Sequence, residues 1–198
     1  MESGKEMKNQ RMLDELTELM RIDVSSGQET EIAEHLVKKL EQMGFAITRD
    51  EAGATFGGMC GNILAVREGE RDGVVCFCSH MDRVPGGIGI KPVEEDGILR
   101  SSGDTILAAD DLSGVAAILE GVRQAIESGK ALPKLEILFT VGEEAGLYGA
   151  KAFDVSLLTS KNDVCARLPG THRPNCKWCA GPCPSGSTGF RQGSPCGK

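Results

Sequence analysis

No apolar run in this 198-residue chain approaches the ~20 residues needed to cross a bilayer, so no membrane-spanning helix is expected. A basic excess is missing too. There are 29 acidic residues against 22 Lys and Arg, a net charge of −7, which argues against a nucleic-acid binder held by phosphate contacts. Met1 to Asn9 carries Glu2 and Glu6 and has no apolar stretch, so a secretory leader is not expected there and the cytoplasm is the expected compartment. No Gly-x-x-x-x-Gly-Lys-Ser/Thr phosphate loop occurs, and no Ser or Cys sits in a nucleophile-elbow motif. Gly86-Gly87-Ile88-Gly89 has the glycines of a dinucleotide loop but no helix after it, so it reads as a turn. There is no internal repeat. The chain does have 40% hydrophobic residues, enough for the core of one domain.

Acid content falls abruptly along the chain. Residues 1–161 hold 28 of the 29 acids and 17 of the 22 bases, a charge of −11. Residues 162–198 hold one acid, Asp163, and five bases, a charge of +4, with five of the eight Cys and five of the eight Pro. Apolar periodicity stops at the same place. The sequence therefore divides into a body, 1–161, and a Cys/Pro/Gly-rich tail, 162–198, expected to be disordered.

The body reads as α/β. Met12, Leu16, Leu19 and Met20 share a helical face, and so do Ile32, Leu36, Leu40 and Met43, with Gly44 placed to end that helix. Val115, Ile118, Leu119, Val122 and Ile126 mark a third helix closed by Gly129. Phe45–Thr48, Asn62–Val66, Val74–Cys78 and Leu135–Val141 read as strands, the last two buried. Alternating strands and helices predict a mostly parallel sheet with flanking helices.

Three clusters of polar ligands follow apolar segments: Ser79-His80-Met81-Asp82 after 74–78, Ala108-Ala109-Asp110-Asp111 after 105–107, and Gly142-Glu143-Glu144 after 135–141. Sites in open α/β sheets gather beyond the carboxyl ends of strands, which predicts that these groups share one rim. Imidazole and carboxylates together suit zinc, and carboxylates also suit manganese. In His80-x-Asp82 the spacing puts both side chains on one side of an extended chain, so Asp82 can accept from the imidazole and fix its tautomer. Glu143 and Glu144 cannot share one direction, so one can bind metal while the other serves as general base. Each cluster has a plainer reading. Asp110-Asp111 fits a helix N-cap with a first-turn carboxylate, Glu143-Glu144 fits a solvated loop, and His35 reads as exposed. Cys60, Cys76 and Cys78 are spaced like small packed hydrophobes.

In three motifs the body resembles the M20 family of metallopeptidases, closest to its peptidase T-like (tripeptidase) branch. They are Ser79-His80-Met81-Asp82-Arg83-Val84, Thr105-Ile106-Leu107-Ala108-Ala109-Asp110-Asp111, and Phe139 through Lys151. The resemblance covers nearly all of residues 10–161. It implies the N-terminal part of a zinc-peptidase-like catalytic domain holding two divalent metal ions, zinc or else manganese or cobalt. It further implies that His80 binds one metal, Asp110 bridges both and Glu144 binds the other. Glu143 is then the base acting on a metal-activated water, and Asp82 orients His80. The substrate implied is a short peptide. Asp111-Leu112-Ser113 departs from the family, where Lys often follows the second Asp.

The resemblance also implies parts that residues 162–198 do not supply: a further carboxylate ligand, a late His, and a lid domain through which the family often dimerises. On that count the 198-residue chain is expected to have little activity. The tail reads as the family's sequence one nucleotide out of register. Codons for Asn162–Leu168 permit a shifted Met-Thr-Phe-Val-Leu-Asp-Ser, a strand whose Asp would be the further ligand. Those for Gly189–Lys198 permit Val-Phe-Gly-Arg-Ala-Ala-His-Ala-Gly, like the family's lid-domain motif. The competing reading is a zinc module built on Cys176, Cys179, Cys183 and Cys196. Three functions are thus open: a metallopeptidase, a non-catalytic fragment, and a Cys-rich zinc-binding or interaction protein.

Overall fold

The structure, a computed structural model, describes residues 2–160 and 163–165. Two helices open it, α1 (Glu2–Arg21) and α2 (Thr30–Gln42), followed by strands β1 (Ala46–Arg49), β2 (Ile63–Arg67) and β3 (Val74–His80). A hairpin, β4 (Pro92–Glu95) and β5 (Ile98–Ser101), precedes α3 (Ala109–Glu127), β6 (Lys134–Thr140), the short α4 (Tyr148–Ala152) and β7 (Asp163–Cys165). No helix among these is long and apolar enough to cross a membrane.

The sheet has the order β1-β2-β6-β3-β7. The expected α/β fold is observed, with four of the five described strands of this sheet running one way and β2 reversed. β6, β3 and β7 run parallel, while β1–β2 and β2–β6 are antiparallel. A parallel neighbour needs a long crossover, usually helical. Between β1 and β2 there is only a compact loop with one 3₁₀ turn, Ala52–Thr55, so the chain doubles back.

Alternation along β6 divides the apolar residues. Leu135, Ile137 and Phe139 join Ile63 and Ala65 in a large core with α1, α2 and α3, while Leu138 faces the other way with Leu64, Cys78 and Phe153. α2 buries Ile32, Ala33, Leu36, Val37 and Leu40 in that large core. Each fully buried Leu or Ile contributes about 1.5–3 kcal/mol. Gly44 (φ 82°) ends α2 and Gly129 (φ 65°) ends α3, as their positions predict. Met12 is an exception on the α1 face, being 39% exposed.

Ion pairs centred on the buried Glu15 and Glu120 tie the helices together. Arg11 of α1 makes two hydrogen bonds to Glu120 and two to Glu127 of α3, at 2.7–2.9 Å. Arg123 reaches Glu15 at 2.9 Å and Glu120 at 3.0 Å, and Lys39 of α2 reaches Glu15 at 2.8 Å and Glu18 at 2.7 Å.

Two segments differ from expectation. Thr105–Leu107, the apolar segment before Asp110, is an irregular loop between the β4–β5 hairpin and α3 rather than a strand. Within the segment expected to be disordered, Asp163–Cys165 forms β7 on the edge of β3. The rest of the tail, with the candidate zinc-module cysteines 176, 179, 183 and 196, lies outside the described residues.

Candidate metal centre

β3 and β6 are parallel neighbours with Ser79 opposite Phe139 and His80 opposite Thr140, so both chains leave the sheet side by side on one rim. The Met81 N–H donates to Thr140 O at 2.9 Å and extends that pairing past the strand ends. Asn62 fixes the exit of β6. Its Oδ1 accepts the Val141 N–H at 3.1 Å, and its Nδ2 donates to Gly149 O at 2.9 Å and Asp50 Oδ2 at 2.7 Å. The chain then turns at Gly142, whose φ of +59° favours glycine. A Cβ there would come within 2.7 Å of the Phe56 ring.

The three predicted ligands converge. His80, Asp110 and Glu144 each offer a ligand atom, and all three atoms lie within 4.8 Å of one another. His80 is 4% exposed, with Nδ1 3.0 Å from the Asp82 main-chain oxygen and 3.4 Å from Asp82 Oδ1. Its Nε2 faces Asp110 Oδ1 at 3.3 Å. An imidazole held through Nδ1 leaves Nε2 to serve a cation, the arrangement expected of a His ligand with an orienting partner.

Asp82 does more than orient His80. It is fully buried, and its carboxylate accepts from Ser26 Oγ at 2.5 Å, from the Glu143 N–H at 2.9 Å and from the Glu144 N–H at 3.0 Å. Burial would raise its pKa, but the bonds from His80 and Ser26 outweigh this and hold it below the ordinary carboxylate range. One side chain thus fixes both the imidazole and the backbone of the Glu143-Glu144 turn.

α3 begins at Ala109, but Asp110 and Asp111 are non-helical, and the peptide between them is cis. The Asp110 side chain is 65% exposed on the rim. Asp111 is buried, accepts from Ser79 Oγ at 2.7 Å and lies over Gly114, where a Cβ would come within 2.4 Å of Oδ1. That placement suits the N-cap reading for Asp111, and burial pushes its carboxyl up to about 6.

The rim is rich in carboxylates. Burial lowers the pKa of His80, but Asp110 and Asp82 more than reverse this and push it up to about 10. Burial raises the pKa of Glu144, and Glu143, Asp110 and Asp82 raise it further against the opposing pull of His80. Nitrogen and oxygen donors crowded by excess negative charge fit a divalent cation.

A second group, Glu15, Glu18 and His35, is also close-set. There the Lys39 ammonium already sits between Glu15 and Glu18, so the charge is matched without a metal. His35 is not the exposed residue expected. It is half-buried, which lowers its pKa, with Nε2 3.8 Å from Glu18. Cys76 is 1% and Cys78 9% exposed, in keeping with their reading as packed hydrophobes.

Residues 62–166 match peptidase family M28. The chain belongs to this peptidase family. The Bacillus subtilis (strain 168) protein YqjE is 38% identical over 151 residues, covering 76% of this chain and 41% of YqjE. The crystal structure of aminopeptidase PepT from Bacillus cereus ATCC 10987 superposes with a TM-score of 0.78 at 37% identity, over 81% of this chain and 44% of PepT. A tripeptidase from Staphylococcus aureus subsp. aureus Mu50 gives a TM-score of 0.75 at 34% identity, over 79% of this chain and 42% of the tripeptidase. The peptidase T-like resemblance of the rim motifs therefore holds. The chain spans less than half the length of each of these relatives.

Ser26, Glu29, Asn62 and Phe56 support the rim yet carry no motif of their own. The only sequence signal was polar residues, Asn62 and Ser26, beside apolar segments, which is equally typical of turns.

Proposed function

We propose that this chain carries the N-terminal part of a metal-dependent peptidase centre of the M20, peptidase T-like kind, acting on short peptides such as tripeptides. The observation that carries the reading is the convergence of His80, Asp110 and Glu144 on one rim, with the His80 imidazole turned through Nδ1 toward Asp82. His80, Asp110 and Glu144 would hold two divalent ions, zinc or else manganese or cobalt, with Asp110 between them. When bound, the metal supplies polarisation of the scissile carbonyl and activation of water.

The chain's own residues do the rest. Glu143 takes the proton from the attacking water and returns it to the leaving amine. Its backbone is anchored on Asp82, so its carboxylate is presented to the rim without a large loss of conformational entropy at the moment of reaction. Asp82 keeps His80 in the tautomer that offers Nε2. The buried Asp111 ties the start of α3 to Ser79 and so sets the height of Asp110 above the sheet.

For the tail, the reading is a shifted frame. The strand Asp163–Cys165 lies where the shifted Phe-Val-Leu-Asp would add a strand beside β3. The missing carboxylate would then enter beside His80, and activity in the chain as it stands would be low.

The test is metal binding by the purified chain. Cobalt titration followed by visible absorption and calorimetry should show binding that Asp110→Ala abolishes and Cys179→Ser leaves intact. Binding that survives Asp110→Ala but disappears with Cys179→Ser would replace this reading with the Cys-rich zinc protein.

A further inference from the structure

The loop between α1 and α2 holds the rim at two points. Ser26 Oγ donates to Asp82 Oδ2 at 2.5 Å, and Glu29 Oε1 accepts the Gly142 N–H at 3.0 Å from 113 residues away. The same Glu29 oxygen also accepts the Gly27 N–H at 2.9 Å.

Glu29 is a costly residue at this place. It sits at the N-cap of α2, where Ser, Thr, Asp and Asn are favoured because they bond the amides of their own helix. Its side chain makes no such bond. It is 0% exposed, and its Oε2 has no hydrogen-bond partner among the described residues. Burial and the nearby negative charge of Asp82 raise its pKa, against the pull of the Gly27, Glu29 and Gly142 amides. Helix capping explains none of this; the reach to Gly142 does.

Gly142 is the pivot of the rim. On one side its N–H is held by Glu29, and on the other the Phe56 ring fills the space a side chain would need. Glu143 and Glu144 follow directly, so the orientation of the Gly142 peptide sets the direction in which both carboxylates leave β6.

We propose that Glu29 is a positioning residue for the candidate metal centre, fixing the Gly142 amide so that Glu143 and Glu144 are presented together to the rim. The inference rests on reading that rim as a metal centre. It acts through the main chain, by way of the Gly142 N–H.

The full chain tests this by amide hydrogen exchange and Mn²⁺ binding followed by electron paramagnetic resonance. Glu29→Ala should raise exchange at Gly142, Glu143 and Glu144 by about tenfold beyond any rise in α3, the effect of losing one buried hydrogen bond. Glu29→Asp keeps the charge but falls one methylene short, and should behave like Glu29→Ala. Glu29→Gln, whose amide oxygen can accept the same N–H, should stay within about threefold of wild type. Glu136→Ala is the control: it removes another fully buried carboxylate, one that binds Thr159 and Ser160, and should leave residues 142–144 protected. Mn²⁺ affinity should fall by about tenfold in Glu29→Ala and Glu29→Asp but not in Glu29→Gln. Unchanged exchange at 142–144 in Glu29→Ala, or a rise spread evenly over the whole chain, overturns the proposal. So does wild-type Mn²⁺ affinity in that variant. A wild-type chain that binds no Mn²⁺ overturns the metal reading alone, while the exchange data still decide the role of Glu29.

Discussion

Asp82 accepts the backbone N–H of Glu143 at 2.9 Å while its main-chain oxygen lies 3.0 Å from His80 Nδ1, so one residue sets the geometry of both strand ends. An asparagine at this position could accept on one side-chain atom only, and its NH₂ would confront the amide of Glu143 or Glu144. Asp82→Asn is expected to cost about 3 kcal/mol of stability and to abolish cobalt binding. Urea melts and a cobalt titration check both, and a variant that melts normally and binds cobalt would refute the anchoring role.

Glu143 should separate turnover from metal affinity. In a chain re-expressed with the shifted frame proposed for the tail after Lys161, Glu143→Gln is expected to lower tripeptide hydrolysis by about 10²–10⁴-fold. Calorimetry should find metal binding within about threefold of the parent, as for a group that moves a proton without binding the ion. A fully active Glu143→Gln variant would exclude it as the base.

The ion-pair network should show itself in acid. Burial raises the pKa of Glu120, but Arg11, Gln124 and Arg123 together hold it below the ordinary value. A depressed carboxyl contributes stability above its unfolded value of about 4.3, lost as pH falls through its lower folded value. Unfolding free energy measured by urea between pH 7 and pH 3 should decline on this limb. Glu120→Ala should be destabilised by about 2 kcal/mol at pH 7, with a flatter acid limb, because Arg11 and Arg123 each lose a buried partner while keeping Glu127 and Glu15. Equal acid slopes in both proteins would show that Glu120 does not drive the decline.

Leu147 has a left-handed backbone (φ 61°), strained for a residue with a side chain. It joins neither apolar cluster. The strain costs about 1–2 kcal/mol, and glycine's extra freedom in the unfolded chain costs about 0.5–1 kcal/mol. Leu147→Gly should therefore gain about 0.5–1 kcal/mol, read as a higher melting temperature.

What the sequence revealed was what periodicity and short motifs encode. The α2 face at Ile32, Leu36 and Leu40, the glycine stops at 44 and 129 and the three polar clusters follow from spacing, whereas the choice of His80, Asp110 and Glu144 within those clusters comes from the family resemblance. The reversal of β2 did not, because strand direction depends on the path between strands, and the β1–β2 loop has no period to read. Asp82 was legible as a partner of His80 but not as the anchor of the Glu143 and Glu144 amides, a contact with main chain that no residue type announces. Glu29 was invisible for the same reason: its partner is the backbone of Gly142.

The parallel pairing of β3 with β6 also has a consequence in time. The pair joins His80 to Thr140 across 60 positions of sequence, and no local contact substitutes for it. During synthesis at about 5–20 residues per second, His80 would leave the ribosome roughly 3–13 s before Glu144. Through that interval neither the anchoring amides nor the third ligand exists, and Asp82 is a lone carboxylate beside a half-made sheet. The rim can assemble only after β6 has slotted between β2 and β3, so the nascent chain should acquire its affinity for a cation in a single late step rather than ligand by ligand.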